Sequence, residues 1–183
     1  MRRDAHHAKG QVPEQECVEM TVSSLTMDPH TGMPVLVLKD FSGRASVPLW
    51  VGLVEASAIV AEFEKVEFTR PMTHDLMCEV VTALGGEVRR VEITDIREHT
   101  FYAKIVIQQG TRAVEVDARP SDAIALALRV GRPIFVTRKV IEKSRRVDMS
   151  APLLAEDLAD VSAEEGRYLL ESLSDDAFGK WTM

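Results

Sequence analysis

Aromatic residues are scarce in this chain. Two tryptophans, two tyrosines and six phenylalanines make up 5% of its 183 residues, which does not indicate a base-stacking platform. Cysteine is scarcer still. Cys17 and Cys78 have the spacing of neither a disulfide framework nor a zinc site, and the expected compartment is the reducing cytoplasm, where thiols stay free. Long apolar runs are missing. Stretches such as Val35–Leu38 and Ala123–Leu128 fall far short of the ~20 residues a membrane-spanning helix needs, so no membrane partner is expected. The first ten residues carry the charge of a signal peptide without its apolar region, which argues against secretion. No GxGxxG, Walker loop or GxSxG occurs, so no organic cofactor and no esterase chemistry is implied. Nor is there a surplus of bases. The 29 acids exceed the 22 lysines and arginines, for a net charge of −7, which argues against a histone-like binder but not against a local basic site.

The acidity is concentrated at one end. Residues 149–183 hold eight acids and two bases, residues 1–16 three of each, and residues 17–148 come to −1. Residues 1–16 lack periodicity and read as a flexible lead-in. Residues 17–148 read as one domain, and 149–183 as an acidic helical tail, with helical patterns over 151–158 and 163–173.

Within the domain the period of two comes first. Val18, Met20 and Val22 alternate with polar neighbours, Asp28-Pro29-His30-Thr31-Gly32 is a turn, Met33–Leu38 is a second strand, and Ala45–Val51 a third after the turn at Gly43. This predicts an antiparallel meander. Gly52 opens a helical pattern through Phe63 with Glu55 about one turn in. Thr73 is the expected cap of a helix ending at Gly85-Gly86, with Leu76, Val80, Ala83 and Leu84 as its apolar stripe. Strands follow over 87–97, where alternation is imperfect, then over 100–108 and 111–118, joined by short connections that favour hairpins. Arg119-Pro120-Ser121-Asp122 opens a helix whose AIALALRV run is apolar on nearly all sides and is predicted to lie at the centre of the fold. A short strand over 133–136 and a short basic helix over Arg138–Ser144 complete it. The pattern predicts a compact α+β domain with a mixed, largely antiparallel sheet and packed helices.

Two junctions between extended chain and helix look alike. One is Arg70-Pro71-Met72-Thr73-His74-Asp75; the other is Asp117-Ala118-Arg119-Pro120-Ser121-Asp122. Each has Arg-Pro, a hydroxyl residue suited to capping and an Asp in the first turn. Backbone N–H groups at a helix start attract anions, and an adjacent Arg can grip phosphate bidentately. An Asp there can hold a divalent metal or a water, or it can merely complement the helix dipole. His74 is the one histidine inside such a motif; it suits a general base or acid and equally a hydrogen-bonded helix start. Arg129, Arg132, Arg138, Lys139 and Lys143 belong to a basic run that can track a phosphate backbone or be a solvated helix face.

These residues carry a resemblance. Pro48-Leu49-Trp50-Val51-Gly52, Glu55-Ala56, the first Arg-Pro junction, Thr100-Phe101-Tyr102-Ala103 and the stretch DARPSDAIALA from Asp117 resemble the bifunctional nuclease domain family of bacteria and plants, over about residues 17–144; Asp176–Lys180 is similar to the end of some bacterial members. The resemblance implies a nuclease acting on DNA and/or RNA with little sequence preference. Its recurring polar positions fall here on Glu55, Arg70, His74, Asp75, Arg119, Ser121 and Asp122. On that reading the two arginines bind the scissile phosphate, His74 is the general acid or base, Glu55, Asp75 and Asp122 position water or metal, and the basic run holds flanking strand. Asp75 and Asp122 are the candidate metal ligands, and carboxylates point to Mg or Mn. The alternative is a non-catalytic interaction module in which the same residues form a structural ion-pair network. Exposed strand edges are compatible with a homo-oligomer, and the tail is a candidate to bind a protein or to inhibit the domain.

Overall fold

The computed structural model describes residues 17–148 apart from His30 and His99. The expected lead-in with His6 and His7, the acidic tail with its two helical patterns and the Asp176–Lys180 match lie outside the described residues.

Strands β1 (Cys17–Met27), β2 (Pro34–Asp40) and β3 (Ser46–Trp50) form the predicted antiparallel meander. A second meander, β4 (Gly86–Arg97), β5 (Thr100–Gln109) and β6 (Arg112–Ala118), is laddered through two short hairpins. The two are joined by β7 (Ile134–Thr137), which pairs antiparallel with β1 and parallel with β4. One seven-stranded sheet of order β3-β2-β1-β7-β4-β5-β6 results. Pro34–Leu38 of β2 are all buried, as expected of a strand covered on both faces. The imperfect alternation over 87–97 has a cause: β4 shifts register at Val88/Arg90 and again at Ile93/Asp95. Such a bulge re-aims the side chains that follow it, and it leaves Ile93, Asp95 and Ile96 all buried.

Four helices complete the α+β fold: α1 (Leu53–Phe63), α2 (Thr73–Ala83), α3 (Pro120–Arg129) and α4 (Arg138–Asp148). The last runs past the expected Ser144, since residues 145–148 hold no proline or glycine to stop it. The centre belongs to α3, which packs on α1, α2, β4 and β5. Ala123, Ile124, Ala125, Leu126 and Ala127 are all buried, and Ile124 and Leu126 each contribute about 2 kcal/mol by leaving water. Gly131, at φ +60°, ends this helix in the left-handed region that only glycine enters freely.

The orientation of α2 departs from the general rule that an apolar stripe faces the core. Its apolar stripe faces outward: Leu76 and Val80 are exposed and Leu84 is 70% exposed. No residue of α2 is fully buried, and the flank turned inward carries His74, Asp75, Cys78 and Val81. Burial pushes the Cys78 thiol up from its ordinary value, so it stays protonated at neutral pH. With so little apolar contact, α2 is seated by polar side chains, and those are the residues singled out above. Among the described residues no helix is long and apolar enough to cross a membrane.

Candidate active site

Three helices bring their N-terminal turns together, and each carries a carboxylate at the same place. The caps are Gly52, Met72 and Arg119, all with extended backbone, so Glu55, Asp75 and Asp122 each stand three residues into their helix. There a carboxylate faces the unpaired N–H groups and the positive end of the helix dipole. Neither expected hydroxyl is the cap. Thr73 is the first residue of α2, and Ser121, which is buried, is the second helical residue of α3. The capping work is done otherwise: Asp75 Oδ2 accepts the Met72 N–H at 3.0 Å, and Pro120 fixes the first turn of α3.

Around Arg119 the side chains form one network. Its Nε donates to Asp122 Oδ2 at 2.7 Å and its Nη2 to Asp122 Oδ1 at 3.2 Å, while Nη1 donates to Glu55 Oε1 at 2.8 Å. A guanidinium has five N–H donors, so two remain beyond these three bonds. The Arg119 side chain is 65% exposed, and the carboxylates beneath it are largely covered. His74 Nε2 lies 3.2 Å from Asp122 Oδ1 and its side chain is 12% exposed. Burial raises the Asp122 carboxyl, but hydrogen bonds from Arg119 and His74 outweigh it and hold the group below its ordinary value. Asp122 and Glu55 in turn hold the Arg119 proton more tightly than usual. Glu55 bends back over its own cap, so a Cβ at Gly52 would collide with its Oε2. Sequence reasoning marked Gly52 only as a helix start; nothing in one sequence shows that its missing side chain is the seat of a carboxylate.

The comparisons decide the family. Residues 36–148 match the bifunctional nuclease domain. An uncharacterized protein of Mycobacterium tuberculosis is 37% identical over 169 residues, covering 87% of this chain and 97% of that protein. Bifunctional nuclease 1 of Arabidopsis thaliana is 31% identical over 114 residues, covering 60% of this chain and 34% of the plant protein. Bifunctional nuclease 2 of rice, Oryza sativa subsp. japonica, is 26% identical over 128 residues, 68% of this chain and 39% of its own. The chain belongs to the bifunctional nuclease domain family. Every polar position highlighted above lies inside the matched segment.

In this bifunctional nuclease domain the first Arg-Pro junction is arranged unlike the second. Arg70 is exposed and has no hydrogen bond or ion pair among the described residues. Asp75 is engaged instead by Arg129, whose Nε donates to Asp75 Oδ1 at 2.6 Å. Arg129 also donates to the carbonyls of Ala125 at 3.0 Å and Ala58 at 3.1 Å, and its side chain is only 7% exposed. The expected basic surface is therefore divided. Arg129 is turned inward as a clamp between α1, α2 and α3 and cannot line a strand. Arg132 pairs with Glu87. Lys139 and Lys143 gather on Asp95, and Arg138 is exposed. For metal, the donor set does not make a cage. Asp75 and Asp122 are each held by a guanidinium, and among the described residues no three His, Cys, Asp or Glu side chains converge on one point.

Proposed function

We propose that this domain is a nuclease, hydrolysing phosphodiester bonds of DNA and/or RNA with little sequence preference. The observation that supports this best is the joining of Glu55, His74, Arg119 and Asp122 into one half-open network at three converging helix N-termini. The spare N–H donors of Arg119, with Arg70 four residues ahead of His74 in the chain, bind the phosphate and stabilise the charge that grows on its oxygens. Asp122 accepts a proton-bearing Nε2 of His74, which fixes the tautomer and leaves Nδ1 basic. His74 takes a proton from the attacking water; the water oxygen bonds to phosphorus, the ester P–O bond breaks, and the proton passes to the leaving oxygen. Glu55 holds Arg119 in place. Since the donor set does not fit a protein-held ion, these steps use side chains alone, and the expected Mg or Mn is an arm of the test.

A second reading is favoured by one observation: each of the three N-terminal carboxylates already has a cationic partner, as in a structural ion-pair network within an interaction module. Exposure separates the two. Arg129–Asp75 is closed and suits the structural role, whereas Arg119 is open. The test is cleavage of labelled single-stranded DNA, duplex DNA and RNA by the purified full chain with magnesium, manganese or EDTA. His74→Gln and Asp122→Asn are expected to lose at least about 100-fold while both still unfold cooperatively in melting curves. Equal cleavage by wild type and variants, or none by any, would overturn the nuclease assignment.

A further inference from the structure

We propose that the sheet end beside Arg119 is a track for single-stranded nucleic acid, with Arg97, Lys139 and Lys143 holding the backbone and Tyr102 stacking one base. This rests on the nuclease reading and deepens it: Lys139 and Lys143 of the expected basic run join Arg97 and Tyr102 in a cluster separate from the Arg119 network. Asp95 is buried at the second bulge of β4. Three cations converge on it: Arg97 Nε at 2.9 Å, Lys139 Nζ at 2.9 Å and Lys143 Nζ at 3.0 Å. Lys143 also donates to the Ile96 carbonyl at 2.6 Å. These bonds hold the Asp95 carboxyl well below the usual carboxylate range, Lys139 foremost. One carboxylate needs one partner; with three it becomes the pin of a fixed cationic patch with two positive charges in excess. The heads of Arg97 and Lys139 remain more than half exposed, so the patch is open to a polyanion.

The aromatic completes the patch. The Arg97 guanidinium lies 4.8 Å from the centroid of the Tyr102 ring, and Tyr102 is 37% exposed. The pair offers a planar, half-solvated surface, which an unpaired base can cover and a base already stacked inside a duplex cannot. One ring serves one base, in keeping with the low aromatic content. The register brings the backbones of patch and site to one end of the sheet. Asp95 is opposite Tyr102 on β4 and β5, and Ala103 is opposite Ala118 on β5 and β6, so Arg119 leaves β6 level with Tyr102. Adjacent strands are about 5 Å apart, which puts the backbones of Asp95 and Arg119 about 10 Å from each other along one sheet end.

The experiment is fluorescence anisotropy with a labelled oligothymidylate of about 20 nucleotides and with a duplex of equal length, in EDTA, on the full chain over a range of salt. Wild type should prefer the single strand. Tyr102→Ala should raise Kd about tenfold. Arg97→Gln and Lys139→Gln should each make the slope of log K against log salt shallower by about 0.7. Arg112→Gln, at the far end of β6, has the same charge change and should leave the slope alone. Melting curves of all variants identify any that fail to fold, and the two exposed cations and the tyrosine test the track separately. Binding that is unaffected by all three, equal for duplex and single strand, or absent in wild type would overturn it. Binding without cleavage would leave the track standing and remove the nuclease; cleavage with variants that bind as wild type would do the reverse.

Discussion

The two Arg-Pro junctions look alike in sequence and do opposite work. At the second, Arg119 is the helix cap, so its guanidinium reaches the Asp three residues on and lies open over Asp122 and Glu55. At the first, two further residues separate proline from the acid. Met72 becomes the cap, Arg70 falls two residues ahead of it, and Asp75 takes the buried Arg129 instead. Two residues thus decide whether the arginine of the motif pairs with its own aspartate. They leave one junction with an exposed cation inside a network and the other with a closed clamp and a cation that has no partner among the described residues. On the proposed nuclease reading the second junction meets the phosphate through Arg119, while in the first the Arg129–Asp75 pair fastens a helix and Arg70 stands exposed. The consequence is a division of labour that substitution can test.

The largest effect is expected on activity at the open junction. Arg119→Gln removes a charge that touches Asp122 and Glu55 but remains mostly in water. Cleavage should fall about 100-fold, the usual loss when a donor to a developing anion is removed, with the urea midpoint of unfolding hardly moved. A large fall in that midpoint would make Arg119 a structural residue like Arg129 and erase the contrast.

The closed junction should show the reverse. Arg129→Met leaves Asp75 without its cation and removes the guanidinium's bonds to the Ala58 and Ala125 carbonyls. Breaking a buried pair costs ~3–5 kcal/mol, and since the Asp75 side chain is about a third exposed the expected loss is about 2–3 kcal/mol by urea unfolding. Because α2 has no fully buried residue, amide exchange should rise first in α2. Uniform acceleration across the sheet would show that the clamp serves the whole core rather than one helix.

What could be read from sequence follows this same line. The two meanders, the buried α3 and the glycine helix stops were legible because each rests on local periodicity or turn chemistry, as in the alternation of β5 and the run from Ala123 to Leu128. The joining of the meanders by β7 was not, because a four-residue strand has too little pattern to name its partners. The site residues were legible as types, and Glu55 as a carboxylate a junction arginine can pair with, but not the whole network: Arg129 with Asp75 joins positions 54 residues apart, and one sequence does not show such a contact. The outward turn of α2 was hidden for a related reason. An apolar stripe announces a face, not what the face meets.

A smaller effect is expected from acid. The folded-state Asp122 carboxyl lies below its unfolded value of ~3.9. Its pairing therefore stabilises the fold fully above that value and is lost as pH falls through the lower, folded one. Stability should hold between pH 7 and about 5 and decline below about 4, and Asp122→Asn should make that decline shallower. An identical acid profile in the variant would mean that the Arg119–Asp122–His74 contacts contribute nothing to the folded state.

The smallest effect on stability belongs to Arg70. It is exposed, and among the described residues it has no partner to lose, so Arg70→Ala should stay within about 0.5 kcal/mol of wild type in urea. Its part in the comparison is sharper than that figure. A cation that pairs with nothing among the described residues is available to a ligand, whereas one already bonded to two carboxylates must share itself. Arg70→Ala should therefore weaken nucleic-acid binding to every sequence alike and make its salt dependence shallower by roughly the 0.7 that one phosphate contact contributes on a single strand. Unchanged affinity and slope would leave Arg119 as the only arginine of the two junctions that acts on substrate, and the first junction would then serve α2 alone.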